Sequence, residues 1–278
     1  MAVSGPTVAR RQVGRRLKAY REAAQVTADE VEAAQLASRT KLWRIERGQV
    51  RVTVPDIWAL CRFYGVGDDE AKALAALAQD TEEPGMWYEH RHVVPEWFRL
   101  YVGLENAATH IQSFEDSVVP GELQTPDYAR SLWLGAWPHL TEADIAPHIA
   151  LRLKRQRALS TRIPPPRLAV VLGENVLRRQ VGGSTVMAAQ RGHLRDLAKQ
   201  DTVDLRVLPF SAGAHPAVTG AFRILRFTGS HDPDVVYIES ELEAHYLEKP
   251  EHVEHYRQMF AILTERAEPL ESFMSQAF

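Results

Sequence analysis

Cysteine is almost absent from the sequence: Cys61 is the only one among its 278 residues. A single cysteine forms no disulfide within its own chain and supplies no cysteine-based metal site. Long apolar runs are absent as well, because no apolar stretch approaches the roughly 20 residues that a membrane-spanning helix needs. The opening stretch, MAVSGPTVARRQ, lacks the apolar core of a secretory signal. These absences predict a protein of the reducing cytoplasm.

Motifs for catalysis and for cofactor binding are also missing. His252 and His255 form an H-x-x-H pair, but no third ligand accompanies them in a recognised spacing. The stretch Gly-Gly-Ser at 182–184 precedes a predicted helix, where free backbone amides can hold an anion, yet the lysine of a phosphate-binding loop is lacking. We therefore expect no catalytic residues, no metal and no cofactor, and we predict that the chain is not an enzyme.

Charge is distributed unevenly along the chain. The whole chain has a net charge of −3, yet residues 1–62 carry 12 Lys and Arg against 6 Asp and Glu. The remaining residues therefore carry a net charge of −9. A small basic segment joined to a larger acidic one indicates a head that binds a polyanion and a body with a different task.

Residues 1–80 show helical periodicity and are predicted to form an all-α domain. After a short polar arm at 1–8, a first helix has four residues spaced along one face: Val13, Leu17, Tyr20 and Ala24. Thr27 and Glu30 form a capping box that begins a second helix, with Val31 and Ala34 predicted to turn inward. A third helix follows at once, and two more, which begin near Thr53 and with DDEAKALAALAQD, complete the domain.

Residues 81–278 alternate between strand and helix patterns. The predicted strands are HIQSFEDSVVPG, RLAVVLG, VDLRVLPF, GAFRILRF and DVVYIES, with helices between them and a final helix from about Pro250 to Ala267. This pattern predicts an α+β body with a mixed sheet. The chain is thus predicted to be multidomain, with a helical head at 1–80 and an α+β body at 81–278.

The third predicted helix, SRTKLWRIERGQ, is basic over most of its surface. Ser38 caps it, Leu42 and Ile45 form a narrow apolar stripe, and Gly48 ends it as a left-handed residue. Two short helices joined by a tight turn, the second of them basic, form the arrangement that places a helix in the major groove of DNA. The basic side of this helix is therefore predicted to face DNA.

The first turn of such a helix comes nearest to the base edges. Here it carries Arg39, Thr40 and Lys41, with Arg44 one turn later, and the fork of an arginine can pair with both N7 and O6 of guanine. Polar side chains around the helix ends lie where phosphates pass, and phosphate contacts supply affinity without reading sequence. The predicted phosphate contacts are Arg10, Arg11, Thr27, Lys41, Arg47, Gln49 and Arg51.

The segment LKAYREAAQVTADEVEAAQLASRTKLWRIERGQ resembles the Xre/Cro/phage-repressor (lambda-repressor-like) type of helix-turn-helix domain, including the RIERG motif that ends the recognition helix. The resemblance implies a buried ion pair between Glu46 and Arg21. The family usually has a leucine near the end of helix 2 and often a glycine in the turn, where this sequence has Gln35 and Leu36. The resemblance places four residues in contact with bases: Arg39, Thr40, Trp43 and Arg44.

Trp43 is unusual at a position that faces the groove. Its ring is large enough to stack on a sugar or contact a thymine methyl group, but its size favours packing against the fourth helix or an adjoining domain.

The body resembles the large C-terminal domain of actinobacterial Xre-type regulators of the WhiJ-like group, through segments such as VDLRVLPFSAGAHPA and DPDVVYIES. Members of that group are often encoded beside small proteins and are sometimes described as antitoxin-like. The resemblance implies a sequence-specific DNA-binding transcriptional regulator of the cytoplasm and nucleoid. Its expected partner is a double-stranded DNA operator, bound by a homodimer.

Three modes of action stay open for the body. In the first, it mediates dimerisation and responds to a protein partner, for which a small acidic protein encoded nearby is the candidate. In the second, a small-molecule ligand controls the same regulator. In the third, the chain is an enzyme with a DNA-targeting head, which ranks last because no catalytic constellation is evident. No membrane partner is expected.

Overall fold

The structure, a computed structural model, describes residues 5–48, 50, 52–79, 96–227 and 233–278. Contacts between Cα atoms divide the chain into two compact units. The first comprises the residues up to Ala107 with two short later segments, and the second comprises most of the residues from Ala108 onward. The first unit therefore extends past residue 80, the boundary predicted from the sequence.

The first unit is helical. Thr27, Ser38 and Thr53 are N-caps whose side chains accept hydrogen bonds from backbone amides three residues later, so these helices begin where the sequence predicts. The helix at 96–107 packs against the first and fifth helices, which is why the unit extends to Ala107. The helices of this unit are α1 (Gly5–Ala23), α2 (Ala28–Ala33), α3 (Arg39–Glu46), α4 (Val54–Phe63), α5 (Asp68–Gln79) and α6 (Glu96–Ala107).

Two expectations about the first unit are wrong. Helix α1 begins at Gly5, inside the segment that the sequence assigns to a polar arm. Ala24 and Ala34 are exposed rather than turned inward, because both follow the last residue of their helices. The predicted core is otherwise present, and its fully buried residues include Val13, Leu17, Val31, Leu42, Ile45, Ile57, Leu60 and Cys61.

Cys61 is a packing residue of this core. Burial raises the pKa of its thiol to about 11, so the thiol stays protonated at neutral pH. A protonated and buried thiol is a poor nucleophile, and Cys61 therefore contributes apolar volume rather than reactivity.

Left-handed residues end the short helices of the first unit. Gly48 has φ of 64° after α3, as the sequence predicts. The turn between α2 and α3 uses Gln35, whose φ is 58°. A residue with a Cβ pays a steric cost in this conformation, so the turn forms with some backbone strain.

Gly14 lets α1 and α3 approach closely. A Cβ placed on Gly14 would lie 2.2 Å from the carbonyl oxygen of Ile45 and 3.0 Å from the carbonyl of Glu46. Both neighbours are backbone atoms, so no rotamer change can make room. Glycine is therefore required at this point by the position of α3.

The strands form a seven-stranded mixed sheet in the order β6-β5-β4-β1-β2-β3-β7, and all of them except most of β6 belong to the second unit. Strands β1, β2 and β3 are adjacent and run parallel, while β4 pairs antiparallel with β1 and with β5. Two short strands, β6 and β7, were not predicted. The strands are β1 (His110–Glu115), β2 (Arg167–Gly173), β3 (Val203–Leu208), β4 (Phe222–Arg226), β5 (Val235–Glu239), β6 (Ala244–Leu247) and β7 (Glu268–Pro269).

Helices cover both faces of this sheet. Val170 and Leu172 point into one apolar cluster with side chains of α10 and α12, whereas Val171 points to the opposite face and packs with α11. The chain forms another helix after the predicted final one, because Leu270 and its neighbours pack on the sheet. The helices are α7 (Pro126–Ala136), α8 (Glu142–Ser160), α9 (Glu174–Arg178), α10 (Gly183–Leu197), α11 (Pro250–Arg266) and α12 (Leu270–Ala277).

Candidate functional site

Helix α3 presents a mostly polar surface to solvent. Leu42 and Ile45 are buried in the core of the first unit and fix the rotation of the helix. That rotation leaves the four predicted base contacts on the exposed part of the helix. These residues are Arg39, Thr40, Trp43 and Arg44.

Arg21 and Glu46 form the ion pair that the sequence resemblance implies. The Nε and Nη2 atoms of Arg21 donate to the two carboxylate oxygens of Glu46 at 2.6 and 3.1 Å. Nη1 of Arg21 also donates to the carbonyl oxygen of Val26 at 3.0 Å, in the turn that leads to α2. The pair is largely buried, with 16% and 11% of the two side chains exposed. One arginine thus ties the end of α1 to the end of α3.

The electrostatics of this pair favour the charged forms. The hydrogen bond to Glu46 raises the pKa of Arg21, and this effect outweighs the opposing effect of burial. A bidentate arginine–carboxylate pair also fixes the relative orientation of its two groups. The pair therefore helps to hold α3 in place.

Arg39 lies between two acidic side chains of α2. Its Nη1 is 3.1 Å from Oδ1 of Asp29, and its Nε is 3.1 Å from Oε2 of Glu32. Its backbone amide also donates to Oε1 of Glu32 at 3.3 Å. Sequence reasoning missed both acids. The available signal was their position within α2 immediately before a basic helix.

The ring of Trp43 is half exposed, and its packing against the fourth helix or an adjoining domain stays a prediction. The guanidinium carbon of Arg47 lies 4.0 Å from the centre of its ring, which is a cation–π contact. Both side chains belong to the exposed surface at the C-terminal end of α3. Their stacking places a cationic group against an exposed aromatic ring.

The predicted phosphate contacts have varied environments. The hydroxyl of Thr27 belongs to a capping box, where it accepts from the amide of Glu30 at 3.2 Å. Nζ of Lys41 lies 3.2 Å from Oδ2 of Asp56, in a pair that is partly exposed. Arg10 is half buried, and its Nε finds no hydrogen-bond partner within the described part of the chain. Gln49, Arg51 and the side chain of Arg11 lie outside the described residues.

A cluster of buried charges lies in the second unit. Arg223 of β4 bridges two carboxylates: its Nη2 is 2.8 Å from Oε1 of Glu115, and its Nη1 is 3.0 Å from Oε2 of Glu122. All three side chains are at least mostly buried, and only 2% of the side chain of Glu122 is exposed. The hydroxyl of Ser113, which is paired with Arg223 across the strands, has no hydrogen-bond partner among the described residues.

Burial and charge act differently on the two carboxylates. Burial raises the pKa of Glu115 to about 7, although Arg223 favours its ionised form. Burial also opposes ionisation of Glu122, but Arg223 and Arg155 outweigh it and hold the pKa of Glu122 below its usual value. Burial lowers the pKa of Arg152 to about 10, with Arg155 acting in the same direction. The cluster is therefore a group of buried charged side chains, to which α8 contributes Arg152 and Arg155.

Among the described residues, no group of three or more His, Cys, Asp or Glu side chains could hold a metal ion. Over the same residues, every helix is too short or too polar to cross a membrane.

The basic helix, its turn and its buried anchor define the first unit as a helix-turn-helix domain, a class that binds DNA. A family model described as a helix-turn-helix domain matches residues 12–74. A second family model, described as a domain of unknown function (DUF5753), matches residues 98–273. Because that match covers more than half of the chain, the protein belongs to the DUF5753 family. No curated protein and no solved structure matches the chain.

Proposed function

We propose that the chain is a sequence-specific DNA-binding transcriptional regulator of the Xre type, acting in the cytoplasm on the nucleoid. The observation that carries the proposal is the division of α3 into two sides. Leu42 and Ile45 anchor the helix, while Arg39 and Arg44 are exposed on the remaining surface. An anchored helix with exposed arginines suits the major groove of a polyanion. This role includes no catalytic step.

Arg44 is the base reader to which we assign the largest contribution. No carboxylate in the described part of the chain pairs with it, so all its N–H donors are available to DNA. Arg47, by contrast, stacks on Trp43 at the end of the helix, where phosphates pass. We therefore assign Arg44 to reading the base sequence and Arg47 to contacting phosphate, which supplies affinity for any duplex.

Single substitutions test that separation. Arg44→Ala should weaken binding to a selected operator by about 1–3 kcal/mol and relax the preference at one base pair. Arg47→Ala should weaken binding to all duplexes alike and lower the salt slope by about one. Lys72→Ala, which removes an exposed charge from α5, is the matched control and should leave base preference unchanged. If Arg44→Ala weakened binding to operator and random DNA equally, the base assignment would be wrong.

For the second unit, we propose dimerisation and a response to a small acidic protein encoded nearby. The support is its resemblance to the body of WhiJ-like, antitoxin-like actinobacterial regulators. A dimer on a two-fold operator makes its second contact at high effective concentration, which strengthens binding without a new interface to DNA. Sedimentation of the full chain with and without operator measures the association state. A monomer that occupies a single half-site would contradict dimerisation.

Control by a small molecule is the second candidate for this unit. The buried cluster around Arg223 favours it, because charged and polar side chains inside a domain can orient a polar ligand. A thermal-shift screen of metabolites, followed by DNA binding in the presence of each hit, distinguishes the two candidates. A hit that changes operator affinity would support the ligand, whereas an effect of the neighbouring protein alone would support the partner.

A further inference from the structure

Asp29 and Glu32 contribute negative charge beside the surface that is proposed to meet DNA. Both belong to α2, and both contact the guanidinium group of Arg39 at 3.1 Å. Carboxylates near a phosphate backbone oppose binding, because like charges repel. Their presence here therefore requires a compensating role.

Stability of the fold is not that role. The side chains of Arg39, Asp29 and Glu32 are 65%, 73% and 44% exposed, so water screens these ion pairs strongly. Exposed pairs of this kind contribute little to the stability of a protein.

The geometry instead restricts Arg39. A free arginine side chain samples many rotamers, and ordering it on binding costs conformational entropy. Two carboxylates hold Nε and Nη1, and one of them also accepts from the backbone amide of Arg39. A guanidinium group has five N–H donors, so donors remain available for a base. The two carboxylates thus favour one orientation of the Arg39 side chain before DNA arrives, although each pair by itself is weak.

This orientation becomes more effective in the complex. A side chain that enters the major groove displaces water, and the attraction between opposite charges strengthens as the local dielectric constant falls. A guanidinium group held in one orientation can make its paired hydrogen bonds only with a base whose acceptors match, which is guanine with N7 and O6.

We propose that Asp29 and Glu32 are positioning residues that orient Arg39 to read a guanine at one base pair of the operator. This inference rests on the proposed function, since it concerns the same surface. The acids lower affinity for DNA in general and increase the discrimination made by Arg39. The base pair that Arg39 reads therefore depends on α2 as well as on the recognition helix.

The test uses the full chain and a library of random duplexes. Selection with the wild-type protein should yield an operator in which Arg39→Ala abolishes the preference for one guanine. The double variant Asp29→Asn/Glu32→Gln should reduce that preference about fivefold to tenfold, while its affinity for random duplexes rises. In the Arg39→Ala background, the same two changes should leave the preference at that base pair unaltered.

The matched control is Asp68→Asn/Asp69→Asn, which removes the same charge from the exposed start of α5. It should raise affinity for random duplexes and leave the guanine preference intact. If Asp29→Asn/Glu32→Gln behaved like this control, the positioning role would be overturned while DNA binding by the head stood. If the wild-type protein selected no sequence at all, the proposed function would fail and this inference with it.

Discussion

Gly14 of α1 lies against the backbone of α3, and replacing it by alanine tests whether this contact fixes the recognition helix. The added Cβ would lie 2.2 Å from the carbonyl oxygen of Ile45, whereas ordinary contact begins at 3.4 Å. The two helices would therefore have to separate by about 1 Å, since neither backbone can rotate away. That shift would loosen the packing of Leu42 and Ile45, both of which are fully buried.

The magnitude follows from two opposing effects. Overpacking a tight core costs about 1–3 kcal/mol and occasionally more. Alanine in place of glycine inside a helix returns about 1 kcal/mol. Because the clash involves backbone atoms, we expect the upper part of the range and a net loss of about 2 kcal/mol in the stability of the first unit.

Hydrogen exchange measured by mass spectrometry on the full chain reports this loss locally. Peptides covering α3 should exchange about 30-fold faster in Gly14→Ala than in the wild-type protein, since 1.36 kcal/mol corresponds to a factor of ten. Gly192→Ala in α10 is the control, because a Cβ there meets no atom within 4 Å. It should leave exchange in α3 unchanged and slow exchange in α10. Equal exchange of α3 in Gly14→Ala and wild-type protein would refute the argument.

Three further predictions concern charge and backbone strain. Glu46→Ala leaves Arg21 partly buried without its partner and should destabilise the first unit by about 3–5 kcal/mol, so exchange should become fast in the head alone; an unchanged head would contradict the pairing. Gln35→Gly relieves a left-handed residue and should raise the stability of the first unit by roughly 0.5–1 kcal/mol, as measured by thermal unfolding; a lower melting temperature would exclude strain at this turn. Glu115 has a folded pKa of about 7 against an ordinary value of 4.5, so the folded state holds its proton over a range where the unfolded state has released it. The free energy of unfolding should therefore fall by up to about 3 kcal/mol as the pH rises from about 4.5 to 7. Glu115→Gln should remove that fall, and urea titrations at pH 5 and pH 8 compare the two proteins; a difference between them that does not change with pH would disprove the shift.

Local features of the first unit could be predicted from the sequence with good accuracy. Thr27, Ser38 and Thr53 begin helices in the structure because capping involves atoms only a few residues apart. The order of helices and strands follows from periodicity for the same reason. The pairing of Arg21 with Glu46 came from family resemblance, since 25 residues separate them and no local pattern joins them.

Contacts between distant segments decided the rest. The need for glycine at position 14 arises only when α1 meets α3, and the acids that hold Arg39 come together with it only through the turn at Gln35. Burial and neighbouring charges then give side chains of the same type different pKa values: that of Glu115 is raised and that of Glu122 is lowered.

Glu115 and Arg223 are an example of such a long-range contact, because they lie 108 residues apart in the sequence and meet on adjacent strands. The sequence by itself determined a basic helical head, an α+β body and the residues that α3 exposes, because composition, capping and periodicity act over short distances. Only the tertiary structure decided which charges pair and which are buried, because both depend on contacts between distant segments. Burial and pairing in turn decide which pKa values move.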